Sequence, residues 1–77
     1  MITIYGKTAC GFCDAAKQLC ETRGYKYKYK QLDKDFTRED IIKTFPGART
    51  FPQIIVNDDK IGGYEQLIQY IEETPMA

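Results

Sequence analysis

The stretch ITIYGKTACGFC, from Ile2 to Cys13, decides how this chain folds. Its first four residues, Ile2–Tyr5, predict a short apolar strand, and the next four predict a loop. The residues from Asp14 to Cys20 are mostly strong helix formers with apolar side chains at near-helical spacing, which predicts a helix. Cys10 then lies at the N-cap and Cys13 one turn further on. Their Cα atoms are expected about 5–6 Å apart, a separation that suits a disulfide.

A cysteine at a helix N-terminus has a reactive thiol. The free N–H groups and the positive end of the helix dipole stabilise a thiolate at Cys10, which makes it nucleophilic near neutral pH with Cys13 within reach. A C-x-x-C alone also fits a structural pair or half of a zinc site. A zinc site with four Cys or His ligands fails by counting, because the sequence has three cysteines and no histidine.

The third cysteine, Cys20, cannot easily join the pair. On one continuous helix it lies about 10 Å beyond Cys13 along the axis, which exceeds the range of a disulfide. It is predicted to be a small, buried, apolar residue. The alternative is an adventitious thiol that is open to oxidation or glutathionylation.

Composition excludes several classes of protein. With 77 residues the chain is predicted to be one domain, spanning residues 1–77. Eleven basic and eleven acidic side chains cancel, so neither a nucleic-acid footprint nor a basic membrane-binding helix is indicated. No apolar run approaches the roughly 20 residues of a membrane span, and no signal peptide is expected before the first strand. A C-x-x-C without a secretion signal indicates redox chemistry in the cytoplasm.

The first half continues as helix, strand and helix. Gly24 is predicted to end the first helix in the left-handed region. The alternation of Tyr and Lys over Tyr25–Leu32 predicts an edge strand with a solvated face. A second helix is predicted to start at Thr37, with Asp40 completing a capping box, and to stop at Pro46-Gly47.

The second half predicts strand, strand and helix. The apolar run Gln53–Val56 and the pair Lys60-Ile61 flank a turn at residues 57–59. Gly62-Gly63 is predicted to open a last helix, whose apolar stripe consists of Tyr64, Leu67, Ile68 and Ile71. The element order β–α–β followed by β–β–α predicts an α/β, thioredoxin-like fold: a four-stranded mixed sheet flanked by three helices. The first strand is expected in the centre of the sheet and the Tyr–Lys strand at an edge.

Three motifs together resemble the glutaredoxin family over essentially the whole chain. They are Cys10–Cys13 (CGFC), Thr50–Ile54 (TFPQI) and Ile61–Glu65 (IGGYE). The chain departs from the commonest family pattern in three places. Gly11-Phe12 replaces Pro-Tyr, as in monothiol C-G-F-S sites, although Cys13 keeps the second thiol. Phe51 replaces Val, and Glu65-Gln66 stands where Thr or Asp is common.

The resemblance implies a glutathione-binding groove. Lys7 is expected to offer a cation to a glutathione carboxylate and to support the Cys10 thiolate. The family has the proline equivalent to Pro52 in the cis form, which presents the backbone N–H and C=O of Phe51 to the tripeptide as a short extra strand. Gly62 and Gly63 are expected to give the γ-glutamyl carboxylate access to free helix N–H groups.

The other expected groove residues have smaller roles. Arg38 or Arg49 offers a second cation, although both also fit a solvated surface charge. The remaining groove candidates are Phe12, Thr50, Tyr64 and Glu65.

The resemblance implies a monomeric glutathione–disulfide oxidoreductase. Cys10 is the expected nucleophile and Cys13 the resolving thiol, with glutathione as reducing co-substrate and disulfide-containing proteins as clients. Ribonucleotide reductase is a client typical of the family. No resident metal is expected, except under the alternative function, in which Cys10 and glutathione thiols of two subunits hold a [2Fe–2S] cluster. A thioredoxin-like reductase served by a flavoenzyme is the third option, disfavoured by the glycine pair.

Overall fold

The computed structural model describes residues 1–73. Its helices and strands, in chain order, are β1 Ile2–Gly6, α1 Gly11–Arg23, β2 Tyr27–Gln31, α2 Arg38–Thr44, β3 Gln53–Val56, β4 Asp59–Gly62 and α3 Tyr64–Glu73. The predicted element order is therefore confirmed. The prediction of one domain over residues 1–77 extends beyond the described residues and stays a prediction.

The four strands form one mixed sheet in the order β2-β1-β3-β4. Strand β1 runs parallel to β2 and antiparallel to β3, and β3 runs antiparallel to β4. The first strand is thus internal and the Tyr–Lys strand lies at an edge, as predicted. The end of β1 faces the start of β3, where Tyr5 is opposite Gln53. The loop before Cys10 and the segment before Gln53 consequently meet at the same end of the sheet.

Each face of the sheet has its own apolar cluster. Helices α1 and α3 cover one face, where a core cluster contains Ile2, Ile4, Ala16, Cys20, Ile54, Val56, Leu67 and Ile71. On the other face, Phe36, Ile41 and Phe45 pack around Tyr5 and Ile55. Alternation along the strands produces this division, because Ile4 and Tyr5 point to opposite faces.

The ends of the first two helices follow the predicted capping chemistry. Gly24 ends α1 with φ 72°, in the left-handed region that favours glycine. Thr37 and Asp40 form the predicted capping box at the start of α2. The predicted strand Tyr25–Leu32 was too long at both ends. The Tyr25 amide donates to the Cys20 carbonyl at 2.9 Å and so belongs to the helix cap. Leu32 lies outside β2, although its amide still donates to the Gly6 carbonyl at 2.9 Å, and it forms an isolated bridge with Phe36.

The turn between β3 and β4 is tighter than predicted. Only Asn57 and Asp58 form it, with φ 49° and 75°, and Asp59 already belongs to β4. Two successive positive φ values are typical of the turns that match the twist of a hairpin. Gly62 does not open the last helix, because it ends β4 with φ 108°. Among the helices of residues 1–73, none has the length and apolar character needed to cross a membrane.

Candidate active site

Cys10 occupies the N-cap of α1, as predicted. Its backbone is extended, with φ −122° and ψ 105°, and its Sγ accepts a hydrogen bond from the Cys13 amide at 3.1 Å. An N-cap side chain normally satisfies one of the unpaired N–H groups of the first turn. Here the sulfur of the disulfide-bonded Cys10 is that acceptor, and it lies at the positive end of the α1 dipole.

The two cysteines differ in their access to solvent. They form a disulfide with Cα atoms 5.2 Å apart, within the predicted range. Cys10 keeps 9% of its surface exposed, whereas Cys13 is 0% exposed. Of the two residues, only Cys10 therefore keeps surface that an incoming molecule can contact.

A groove of about 280 Å³ includes Phe12, which stands between the two cysteines in the chain, although neither cysteine lines it. It is lined by Phe12, Thr50, Phe51, Pro52, Gly63, Tyr64, Glu65 and Gln66. Seven of these residues were predicted from the resemblance. They come from the start of α1, the segment before β3 and the start of α3, which the fold brings together at one end of the sheet.

Two predicted residues do not line this groove. Gly62 lies within β4, one residue before the groove begins. Lys7 is exposed in the loop after β1, and its Nζ lies 5.9 Å from the centre of the Phe51 ring. The Lys7 cation is therefore at the margin of the groove, near the Phe51 end.

An aromatic pair forms one wall of the groove. The rings of Phe12 and Tyr64 stack with their centres 5.9 Å apart and an angle of 29° between their planes. Phe12 is nevertheless 61% exposed. This pair joins the start of α1 to the start of α3 and gives the groove an apolar surface next to Cys10.

The Phe51 backbone is available for pairing with a peptide. The Phe51–Pro52 peptide bond is cis, as the resemblance implied. Within residues 1–73, neither the N–H nor the C=O of Phe51 makes a hydrogen bond. A donor and an acceptor on one residue at the groove wall are the requirement for adding a short strand.

The start of α3 presents different amides from those predicted. The Gly63 N–H donates to Gln66 Oε1 at 3.0 Å and is already satisfied. The next two amides, those of Tyr64 and Glu65, donate to no acceptor among the described residues. The Gln66 amide is likewise without an acceptor among the described residues, so the first turn of α3 offers unpaired N–H groups at its positive end that can receive an anion.

Gln66 is the groove residue that sequence reasoning missed. A Gln three residues after a helix N-cap is the second half of a capping box. With the cap at Gly63, as the structure has it, this spacing is the weak sequence signal that points to Gln66. A Cβ on Gly63 would lie 3.3 Å from Gln66 Oε1 and 3.5 Å from the Pro52 carbonyl oxygen, so one carbon fits there with a small shift of the Gln66 side chain.

The two candidate arginines lie beside the groove and not in it. Arg38 and Arg49 line a smaller pocket of about 80 Å³, which shares only Thr50 and Phe51 with the groove. Both arginine side chains are exposed. The structure therefore places them near the Phe51 end, on the same side as Lys7.

Cys20 is a free, fully buried thiol, as predicted. Burial, with a further contribution from the Glu21 charge, raises the pKa of the Cys20 thiol above its ordinary value. A buried, protonated thiol is inert towards thiol exchange. Within residues 1–73, no three His, Cys, Asp or Glu side chains are grouped closely enough to hold a metal ion.

Comparisons with known proteins agree with this geometry. The family model for glutaredoxin matches residues 2–61. A probable glutaredoxin of Synechocystis sp. is 42% identical over 67 residues, which cover 86% of this chain and 62% of that relative.

Solved structures support the same fold. Glutaredoxin 1 from Francisella tularensis, crystallised with cacodylate, superimposes with a TM-score of 0.78 at 25% identity, covering 94% of this chain and 92% of that one. Reduced Escherichia coli glutaredoxin gives a TM-score of 0.73 at 29% identity, covering 95% of this chain and 94% of that one. The predicted thioredoxin-like fold is thereby confirmed. Since the family model covers most of the chain and the Cys10–Cys13 pair stands at the predicted helix start, the chain belongs to the glutaredoxin family.

Proposed function

We propose that this protein is a glutathione-dependent thiol–disulfide oxidoreductase that reduces protein disulfides and glutathione-mixed disulfides. The observation that carries the proposal is the N-cap position of Cys10, whose Sγ accepts from the Cys13 amide, together with a groove of about 280 Å³ that includes the intervening Phe12. A stabilised thiolate next to such a groove suits attack on a sulfur that belongs to a bound peptide.

The first step is attack by the Cys10 thiolate on the glutathione sulfur of a mixed disulfide. A bond forms between the Cys10 Sγ and that sulfur while the original S–S bond breaks, and the client thiolate leaves and takes a proton from water. In the monothiol route, a second glutathione thiolate attacks the glutathione sulfur held on Cys10. This attack releases glutathione disulfide and restores the Cys10 thiolate.

The dithiol route uses the buried partner. When Cys10 is bonded to a client protein, the Cys13 thiol loses its proton and attacks the Cys10 Sγ. The client leaves as a thiol, and the Cys10–Cys13 disulfide forms, the state present in the structure. Two glutathione molecules then reduce this disulfide in successive exchanges.

Glutathione recognition follows the charges and free backbone groups around the groove. The γ-glutamyl carboxylate binds the free amides of Tyr64 and Glu65, and the cysteinyl part of the tripeptide pairs with the Phe51 backbone. The glycyl carboxylate lies towards Lys7, whose cation is near the Phe51 end. This arrangement directs the glutathione sulfur to the Cys10 side of the groove.

The proposal also covers the cellular compartment and the protein partners. A reducing cytoplasm supplies the glutathione that the cycle consumes, and the clients are proteins with accessible disulfides, for which ribonucleotide reductase is a family-typical example. The protein acts as a monomer, because each step needs only the one cysteine pair and the one groove.

Replacing Cys10 tests the proposal directly. Cys10→Ser is expected to abolish reduction of a glutathionylated peptide by glutathione, because serine supplies no sulfur. Cys20→Ala, which removes a buried thiol outside the groove, is the matched control and should keep the activity. Substantial activity in folded Cys10→Ser protein would refute the proposed nucleophile.

A second candidate function is a glutathione-ligated [2Fe–2S] carrier. The open space beside Gly11 favours it, because a Cβ on that residue would meet no atom within 4 Å. Only Cys10 is accessible as a ligand, since Cys13 and Cys20 are 0% exposed. The residues present therefore fit a cluster only between two copies of the chain with two external thiols.

The visible spectrum separates the two functions. Protein produced with iron and glutathione should show no cluster absorption if the oxidoreductase alone operates. A stable cluster spectrum that disappears in Cys10→Ser, together with a dimeric mass, would instead support the carrier.

A further inference from the structure

The loop that delivers Cys10 to the site is not held by packing. Lys7, Thr8 and Ala9 are all exposed, between the end of β1 and the N-cap of α1. Ala9 has φ 55°, a left-handed conformation that is unfavourable for a residue with a side chain. Something other than burial must keep this loop in its shape directly before the nucleophile.

Two side-chain hydrogen bonds join this loop to β2, and only one of them is short. Gln31, the last residue of β2, donates from Nε2 to the Thr8 hydroxyl oxygen at 2.7 Å. The phenol of Tyr29 also points at the Lys7 carbonyl oxygen, but at 3.5 Å this contact is weak. Among the side-chain hydrogen bonds of residues 1–73, these two are the ones that reach residues 7–9.

Gln31 is itself held firmly in place. It is paired with Gly6 in the sheet, and its amide donates to Asp35 Oδ2 at 2.8 Å. Its carbonyl accepts from the amides of Lys34 and Asp35 at 3.1 and 2.8 Å. With its backbone fixed on both sides, Gln31 presents its side chain to Thr8 from a rigid support.

We propose that Gln31 is a positioning residue for the Cys10 nucleophile, acting through its hydrogen bond to Thr8. The bond holds the exposed loop with Ala9 in its left-handed conformation, and this conformation fixes the direction in which Cys10 enters the N-cap. Without the bond, Ala9 relaxes towards ordinary backbone angles, and the Cys10 Sγ spends less time on the Cys13 amide. The thiolate then loses part of its stabilisation, and Lys7 loses its fixed place beside Phe51.

The expected effect on turnover rests on the proposed function. The expected effect on the pKa of the Cys10 thiol does not. Gln31→Met keeps the length of the side chain and removes the hydrogen bond. We expect kcat/KM with a glutathionylated peptide to fall by about threefold to tenfold, the range for one lost hydrogen bond. The pKa of the Cys10 thiol, followed by the pH dependence of its alkylation, should rise in the same variant.

The design includes a partner variant and a matched control. Thr8→Val removes the same hydrogen bond from the loop side and lies at an exposed position, so it tests the proposal even if Gln31→Met folds poorly. The double variant should be no worse than either single variant, because the bond can be lost only once. Gln18→Met changes an exposed glutamine on α1 and should leave both the alkylation profile and the turnover unchanged.

The outcomes separate positioning from simple stability. A rise in the Cys10 pKa in both single variants, without addition in the double variant, supports the proposal. An unchanged Cys10 pKa in folded variants overturns it, even if the melting temperature falls, and so do additive effects of the two changes. Alkylation of Cys10 needs no glutathione. If the wild-type protein did not use glutathione, the proposed function would be refuted, but the comparison of Cys10 pKa values between variants would still test the role of Gln31.

Discussion

Replacing Gly63 by valine is expected to block the glutathione site while leaving Cys10 reactive. Gly63 lies directly before α3 at the groove wall, and its φ is not positive, so the backbone accepts a side chain. A Cβ there would lie 3.3 Å from Gln66 Oε1 and 3.5 Å from the Pro52 carbonyl oxygen. These distances are tight but tolerable for one carbon, whereas the two further methyl groups of valine must enter the groove or displace Gln66.

The size of the effect follows from what the carboxylate loses. If valine keeps the γ-glutamyl carboxylate from the Tyr64 and Glu65 amides, the cost is about 1–3 kcal/mol, the range for a polar partner left unmade. That corresponds to a loss of about fivefold to 150-fold in kcat/KM for glutathione. Gly63→Ala is the matched control, because it adds only the Cβ. It should cost at most the Gln66 hydrogen bond, about 0.5–1.5 kcal/mol of stability.

Steady-state turnover of a glutathionylated peptide at varied glutathione concentration measures the loss, which should appear mainly in KM. Circular dichroism and the alkylation rate of Cys10 show whether the fold and the nucleophile remain intact. Normal glutathione kinetics in folded Gly63→Val protein would refute the reasoning and place the groove elsewhere. Equal losses in the alanine and valine variants would show that loss of the hydrogen bond between the Gly63 amide and Gln66, and not obstruction of the groove, causes the effect.

Three further predictions test the remaining parts of the account. Cys13→Ser should keep reduction of glutathione-mixed disulfides and lose direct reduction of protein disulfides, because a second glutathione can take the place of Cys13 only in the monothiol route. An assay of both substrates measures the two activities, and parallel loss of both would contradict this. Lys7→Glu should raise the Cys10 pKa, measured by alkylation, and also raise KM for glutathione, because both depend on the same positive charge; a change in only one of them would separate these roles. Hydrogen bonds from the backbone and side chain of Thr37 lower the pKa of Asp40 in the folded protein. The Asp40 carboxylate therefore stabilises the folded state at any pH above the ordinary aspartate pKa of about 3.9. This contribution is lost as the pH falls through the lowered pKa of the folded state. Asp40→Ala should therefore lower the melting temperature near neutral pH and make progressively less difference in acid, whereas a constant difference would show that the capping carboxylate is not responsible.

The sequence predicts the fold well because its strongest local signals agree with one another. Alternation in β2, the capping box at Thr37 and the glycine at position 24 each specify one element boundary or face. The capping box and the glycine are confirmed, and in β2 the alternation holds at Lys28 but not at Lys30, which is half-buried like the tyrosines. The misplaced boundaries occur where one residue serves two elements. The Tyr25 amide completes the helix cap, and Gly62 ends a strand with φ 108° where it was expected to open a helix.

The candidate site is predictable in its members but not in its hydrogen bonds. Motif resemblance identifies the groove residues from three separated segments, because side chains at the ends of neighbouring strands meet at one edge of the sheet. It does not reveal that Gln66 occupies the Gly63 amide or that Gln31 reaches Thr8. Both contacts depend on side-chain conformations. For Gln66 the sequence carries the weak signal of a glutamine three residues after a helix cap, and for Gln31 it carries none.

The central claim is that Cys10 carries glutathione, and a covalent adduct tests it most directly. Cys13→Ser protein is incubated with glutathione disulfide, digested without reducing agent and mapped by mass spectrometry. The account predicts one glutathione, bonded to Cys10, with the buried Cys20 unmodified. An adduct on Cys20, or the absence of any adduct from folded protein, would contradict it.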